Sequence, residues 1–194
     1  MKAIVCTQYG PPDTLKLEEV PKPTLGDDEI LVKVHGASVN YSTTAYVTGK
    51  PSAIRLMGGG LFKPKYRIPG VEVAGRVEAV GRNVTQFQPG DEVFGDLSGC
   101  GRGAFAEYVS VPETFLALKP ANITFEESAT VAEAAVVALQ CLRDHGKIKS
   151  GHKVLINGAS GGIGTFAVQI AKSFEAEVTG VCGPGNLDLS LIHI

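Results

Sequence analysis

The chain has 194 residues, 44% hydrophobic and 20% charged, with a formal net charge of −2, the balance of an ordinary folded protein of one large domain or, the better count here, two small ones. No basic run supplies a nucleic-acid footprint and no apolar run is long enough to span a bilayer, so neither nucleic acid nor a membrane is expected as a partner. The opening Met1-Lys2-Ala3-Ile4-Val5-Cys6 is already strand-like and has no signal-peptide cleavage pattern, which places the protein in the cytoplasm. The four cysteines, Cys6, Cys100, Cys141 and Cys182, are scattered and form no C-x-x-C pair. Buried, reduced thiols are expected rather than a structural zinc lobe or a redox motif.

Residues 1 to about 120 read as all-β, with candidate strands at 3–6, 15–19, 29–38, 71–80, 92–95 and 106–112 separated by proline, glycine and asparagine breakers. In the third of these, Leu31, Lys33 and His35 alternate with Val32, Val34 and Gly36, the pattern of a strand with one dry and one wet face. His35 is then an exposed strand residue rather than a ligand. Between Pro51 and Pro69 lies a loop-like insert whose glycine triplet, Gly58-Gly59-Gly60, excludes a long rigid element. Its apolar Leu56, Met57, Leu61 and Phe62 are expected to pack, with the lining of a substrate mouth as the alternative.

Past Pro120 the composition turns helical. Thr124-Phe125-Glu126-Glu127 is a capping box, and the run from Ser128 to His145, rich in Ala, Val and Leu, ends at Gly146. A helix apolar on nearly every face suits burial between two domains. The β-branched run 153–157 then enters Gly158-Ala159-Ser160-Gly161-Gly162-Ile163-Gly164 and a segment with apolar residues at helical spacing, followed by a strand at 177–182. This is a strand, a phosphate loop and a helix, the start of a right-handed βαβ unit. Glycines let the backbone turn tightly and approach a pyrophosphate, whose charge rests on the free N–H groups at the positive end of the helix. Ala159-x-Gly161-x-x-Gly164 is the dinucleotide fingerprint with its first glycine replaced, whereas Gly158-x-x-x-Gly162-x-Gly164 is the spacing of short-chain dehydrogenases, and both imply a nicotinamide cofactor. A Walker loop is excluded because no lysine precedes Thr165.

Five blocks together carry a resemblance: Ala37-Ser38-Val39-Asn40, Pro69-Gly70-Val71-Glu72-Val73-Ala74-Gly75, Pro89-Gly90-Asp91-Glu92-Val93-Phe94-Gly95, Gly103-Ala104-Phe105-Ala106-Glu107-Tyr108, and residues 157–172. On these motifs the chain resembles the medium-chain dehydrogenase/reductases, in their zinc-free quinone oxidoreductase (ζ-crystallin-like) branch, over essentially residues 1–188. The resemblance implies an α/β fold: a GroES-like β barrel domain over residues 1–124, then the start of a Rossmann doubly wound domain over 125–194, with the substrate in the cleft between them. Zinc-dependent relatives have a Gly-His-Glu triplet where this chain has Gly70-Val71-Glu72, and a cysteine ligand where it has Ser38-Val39-Asn40-Tyr41. Valine cannot coordinate a metal, so no zinc site is expected.

Without a Lewis acid the acceptor must already be electrophilic, so the resemblance implies hydride delivery from NADPH to a small-molecule quinone or α,β-unsaturated carbonyl. Asn40 matches the family asparagine near the nicotinamide, and Tyr46 is the nearest candidate hydroxyl. Ala159, Ser160, Gly161, Gly162, Ile163 and Gly164 would hold the pyrophosphate. Val137 stands where relatives usually place a threonine against the nicotinamide. Gly183-Pro184-Gly185 replaces the Ser-Thr-Arg that often holds a 2′-phosphate, and no acid takes its place to anchor NAD, which leaves NADP as the expected cofactor. The resemblance is compatible with a homodimer in the complete protein.

The sequence stops where the second Rossmann helix should run, so the chain reads as C-terminally truncated and, by itself, inactive. Leu189-Ser190-Leu191-Ile192-His193-Ile194 also matches the peptide encoded by one reading frame of a common sequencing-library adaptor. The short-chain alternative needs a Tyr-x-x-x-Lys downstream of the loop. The only match, Tyr46 to Lys50, lies upstream and is broken by glycine and β-branched residues. The remaining alternative is a non-catalytic fragment or structural homologue that does not bind cofactor productively.

Overall fold

In the computed structural model, residues 1–189 are described, and the chain divides into one unit at Met1–Ala132 and a second from Glu133 onward. In the first unit, β1 (Lys2–Val5) and β2 (Lys16–Glu19) form an antiparallel pair. After β3 (Glu29–Ala37) comes a helix, α1 (Tyr41–Thr48), and then β4 (Glu72–Val80), β5 (Glu92–Asp96), β6 (Tyr108–Pro112) and β7 (Leu116–Leu118). These five strands make one antiparallel sheet in the order β6-β3-β4-β5-β7. Ile30, Val32, Val73, Val77, Val93, Leu97, Val109 and Val111 interdigitate as its core. Apolar β-branched side chains dominate that set because they fit a pleated surface with little loss of rotamer freedom.

The six expected strands are all present, each within two residues of its expected bounds, but the all-β reading of residues 1–120 is incomplete. It missed α1 and the short β7. Helix α1 is threonine-rich, and its buried residues, Thr43, Ala45 and Val47, alternate as they would in a strand. Its ends explain why it winds. Asn40 accepts the Thr43 N–H at 2.8 Å, and Gly49 closes the helix in the left-handed conformation with its N–H on the Ala45 carbonyl. The insert after Pro51 holds only a π-helical turn, Arg55–Gly59. Its apolar side chains do not pack as expected: Leu56, Leu61 and Phe62 are 76%, 53% and 90% exposed.

The capping box forms as read, with the Thr124 side chain accepting from Glu127 N–H and the Glu127 carboxylate accepting from Thr124 N–H. It starts a single turn, α2 (Phe125–Ser128), that packs on β3 and β4. Exposed His35 stacks on the Phe125 ring at 4.6 Å, and Lys119, almost fully buried, donates to the carbonyls of Pro120 and Ile123 and pairs with Glu92. The continuous helix expected from Ser128 to His145 is broken. Thr130 donates both its N–H and its hydroxyl to the Glu127 carbonyl, and this tighter i to i+3 closure ends α2. Helix winding resumes in the second unit with α3 (Ala134–Leu139) and a π-helical turn, Gln140–His145.

The second unit continues with β8 (Lys153–Asn157), α4 (Gly162–Ser173) and β9 (Glu177–Val181), a parallel pair joined by a helix, as expected. Ala138 and Ile148 meet Ile156, Ala167, Val168 and Ala171 in its core, while Leu155 and Val181 remain 69% and 44% exposed. Among the described residues no helix is long and apolar enough to cross a membrane. The expectations for residues 190–194 lie outside the described residues.

Of the four thiols expected to be buried, only Cys6 is; Cys141 is exposed and Cys100 and Cys182 are intermediate. Burial pushes the Cys6 thiol above its usual range, and burial together with the Asp96 and Glu29 carboxylates pushes Cys100 to about 11. Iodoacetamide at pH 8 should therefore alkylate Cys141 first. Cys100 should gain reactivity only as pH rises toward its displaced value, a dependence that peptide mass mapping against pH will show. Thr124→Ala should lower the stability of the first unit by about 1 kcal/mol, measured by urea unfolding.

Candidate active site

Two groups of sequence-predicted residues lie in different units. In the first unit, the end of β3 and the start of β4 bring Ser38, Asn40 and Glu72 together. Glu72 is 2% exposed, and a carboxylate so buried needs donors. It accepts from the Ser38 hydroxyl and, at 2.9 Å, from the Asn40 side-chain amide. Because the Asn40 carbonyl oxygen also caps α1, that one side chain ties the helix to the sheet. Adjacent Val71 is fully buried, and its carbonyl accepts the Leu97 N–H at 2.6 Å. Among the described residues no group of three or more His, Cys, Asp or Glu side chains is placed to hold a metal ion.

Tyr46 stands half-buried on the same helix, six residues from its cap. The Arg102 guanidinium lies over its ring, 3.3 Å from the centroid, and the two line a small cavity with Cys6 and Tyr66. Sequence reasoning assigned nothing to Glu72, Ser38 or Arg102. The signal for Glu72 was an acid inside an otherwise apolar run, Val71 to Ala74. For Arg102 it was a bulky cation between two glycines.

In the second unit, the turn from β8 into α4 contains every predicted phosphate-loop residue. Gly158 and Ala159 donate their N–H groups to the Val181 carbonyl at 2.8 and 3.0 Å, which moors the loop to β9. Gly161 is the N-cap of α4 and offers no side chain to its first-turn N–H groups, and the Thr165 N–H closes that turn on the Gly161 carbonyl. Ala159 is fully buried beneath the loop, whereas Gly161, Gly162 and Ile163 are exposed. At Gly164 a Cβ would fall 2.0 Å from the Gly158 carbonyl oxygen, but at Gly162 it would meet nothing within 4 Å. Val137 is half-buried on α3, beside fully buried Ala138. The arrangement leaves backbone N–H groups and the positive helix end open to an anion.

These geometries separate the glycines by role. Gly164→Ala should destabilise the second unit by roughly 1–3 kcal/mol as the loop is forced from the helix, whereas Gly162→Ala should leave thermal unfolding nearly unchanged. Differential scanning calorimetry of the two variants checks both.

Comparison with known proteins agrees with the geometry. Residues 26–121 match the alcohol dehydrogenase GroES-like domain. Over 97% of its length the chain is 36% identical to 2-methylene-furan-3-one reductase of Solanum lycopersicum, of which it covers 49%. It is 34% identical over 94% of its length to the quinone oxidoreductase of Sus scrofa, of which it covers 53%. The quinone oxidoreductase from Coxiella burnetii matches the whole chain with a TM-score of 0.86 at 29% identity, with 60% of that protein covered. Mycobacterial Rv1454c, solved as a complex with NADPH, also matches the whole chain, with a TM-score of 0.83 at 28% identity and 56% coverage of that protein. The chain spans about half the length of the curated relatives it matches. Its GroES-like sheet, its βαβ unit and these relatives agree, and the chain belongs to the medium-chain dehydrogenase/reductase family.

Proposed function

We propose that the complete protein is a zinc-independent, NADPH-dependent oxidoreductase that transfers hydride to a quinone or an α,β-unsaturated carbonyl. The observation that carries this reading is the open turn at the start of α4, where Gly162 has empty space on its Cβ side and the N-cap has no side chain to block an incoming pyrophosphate. The residues present fit a dinucleotide. Ala159, Ser160, Gly161, Gly162, Ile163 and Gly164 would hold its phosphates through backbone N–H groups, with Val137 offering an apolar contact in place of a hydrogen bond. A bound NADPH supplies the hydride. NADP is favoured over NAD by resemblance and by the relative solved with NADPH, since Gly183-Pro184-Gly185 after β9 contains no acid to bind a ribose 2′-hydroxyl.

The chain's own side chains would orient and shield. Asn40, fixed between Glu72 and the α1 N-terminus, would hold the helix that presents Tyr46, and Tyr46 would donate a hydrogen bond to the acceptor oxygen as it gains charge. The zinc-free reading is supported by chemistry at the two matched positions: Val71 has no donor atom, and Ser38 and Asn40 are engaged with Glu72. A second reading, a chain that keeps the β unit but does not turn over substrate, is favoured by the exposed Leu155 and Val181 on the sheet of the second unit.

Fluorescence titration with NADPH, followed by enone reduction in the same preparation, separates the two readings. Saturable binding at low micromolar concentration with turnover is the expected result for the complete protein, and chelator treatment should leave the rate unchanged. Gly161→Val should abolish NADPH binding while the circular dichroism of the β unit is retained. Binding unaffected by that substitution, or a rate lost to chelator and restored by zinc, would overturn the proposal.

A further inference from the structure

Arg102 lies in the loop between β5 and β6 with φ of +65°, between Gly101 at +120° and Gly103 at +118°. An arginine gains nothing from that left-handed backbone, which is held by hydrogen bonds from Arg102 N–H to the Leu97 carbonyl and from Gly103 N–H to the Gly70 carbonyl, each 3.1 Å. The side chain is buried, with 9% of the residue exposed. Its guanidinium lies 3.3 Å from the Tyr46 centroid and 4.7 Å from that of Tyr66. Ring faces attract the charge but accept none of the in-plane N–H groups. Nε and Nη1 are enclosed with no hydrogen-bond partner, and among the described residues no carboxylate pairs with this cation. A buried charge without acceptors is the arrangement a protein maintains where something else supplies them.

The surroundings decide the sign and the class of that partner. Arg102 helps to line two hollows, a water-sized cavity of about 20 Å³ beside Tyr46 and Tyr66, and a wider groove of about 360 Å³ that also contains Tyr66. The groove adds exposed Lys65 and Arg67 and has no acidic residue in its lining. Arg67 pairs with Glu18 at 3.4 Å, which leaves Arg102 and Lys65 as cations in excess of that one carboxylate. The excess attracts an anion, and the Tyr66 and Tyr108 walls of the groove suit a flat organic body attached to it.

We infer that Arg102, stacked on the Tyr46 ring, anchors a binding site for the carboxylate or phosphate group of a small organic ligand seated in the Lys65 and Arg67 groove beside Tyr66. Oxygens of such a group complete the guanidinium's hydrogen bonds as charge-assisted contacts. The site lies within residues 1–132 and does not rest on the proposed hydride chemistry, so binding tests it without cofactor or turnover.

The 194-residue chain is titrated calorimetrically at low, matched ionic strength with inorganic phosphate, with benzoate and with uncharged benzamide. Saturable one-site binding of at least one anion and none of benzamide is expected. Benzoate alone identifies a carboxylate ligand, and phosphate alone identifies a phosphorylated one. Arg102→Gln should weaken the anion by about tenfold or more, with partial recovery in Arg102→Lys. Should Arg102→Gln fail to fold by circular dichroism, the exposed pair Lys65→Gln and Arg67→Gln replaces it, together with an anion-dependent shift of the Arg102 Nε–H resonance in the unsubstituted chain. The proposal is overturned if neither anion binds saturably, if benzamide binds as well as benzoate, or if the folded variants bind unchanged.

Discussion

The first unit depends on how one buried carboxylate is satisfied. Glu72 sits on the central strand β4 at 2% exposure, where an ionised group without donors would cost several kcal/mol. Ser38 and Asn40 supply those donors from the end of β3, and the same Asn40 then caps α1. Strand end, helix start and buried carboxylate thus form one cooperative unit. Removing the carboxylate takes away the acceptor that the Ser38 hydroxyl and the Asn40 amide share, and removing Asn40 takes a donor from Glu72 and the cap from α1. Position 71 beside it is occupied by a fully buried valine, so packing and hydrogen bonding meet at this corner.

The second unit is organised by contact rather than by charge. In its loop the Gly158 carbonyl oxygen occupies the space a side chain at position 164 would need, so the turn and the first turn of α4 are pressed together. The outward side of the loop stays open at Gly162. A turn closed inward by packing and open outward to solvent is what an anion-binding helix terminus requires, and it follows from where glycine does and does not stand.

Much of this was legible in the sequence because it depends on short-range pattern. The Thr124 capping box and the β8 to α4 glycine spacing each specify a local geometry, and each formed, as did the strand alternation of β3 except at Leu31, which a register shift leaves buried with Ile30 and Val32. The misses share a different cause. Helix α1 has buried residues at alternate positions, so its apolar pattern says strand, and only its two ends, Asn40 and Gly49, say helix. The run after Ser128 has the composition of one helix, but Thr130 offers a competing hydrogen bond that composition does not weigh. Glu72, Ser38 and Arg102 derive their meaning from partners 30 to 60 residues away in the chain, a distance across which no periodicity reports. The exposure of Leu56, Leu61 and Phe62 is likewise a tertiary outcome.

The strand order of the first unit also constrains how it can assemble. Strand β3 lies between β4 and β6, and Lys33 pairs with Tyr108, so an early strand waits for one made much later. As the chain leaves the ribosome, β3 and β4 can pair first, but one edge of β3 stays open until residues 108–112 arrive, and β5 waits for β7. Long-range pairing of this kind carries the loop-closure entropy before its contacts reward it. The second unit has the opposite character, since β8, α4 and β9 are consecutive. The unit synthesised first is therefore the one with the slower closure, and its open β3 edge is the surface most in need of protection during synthesis.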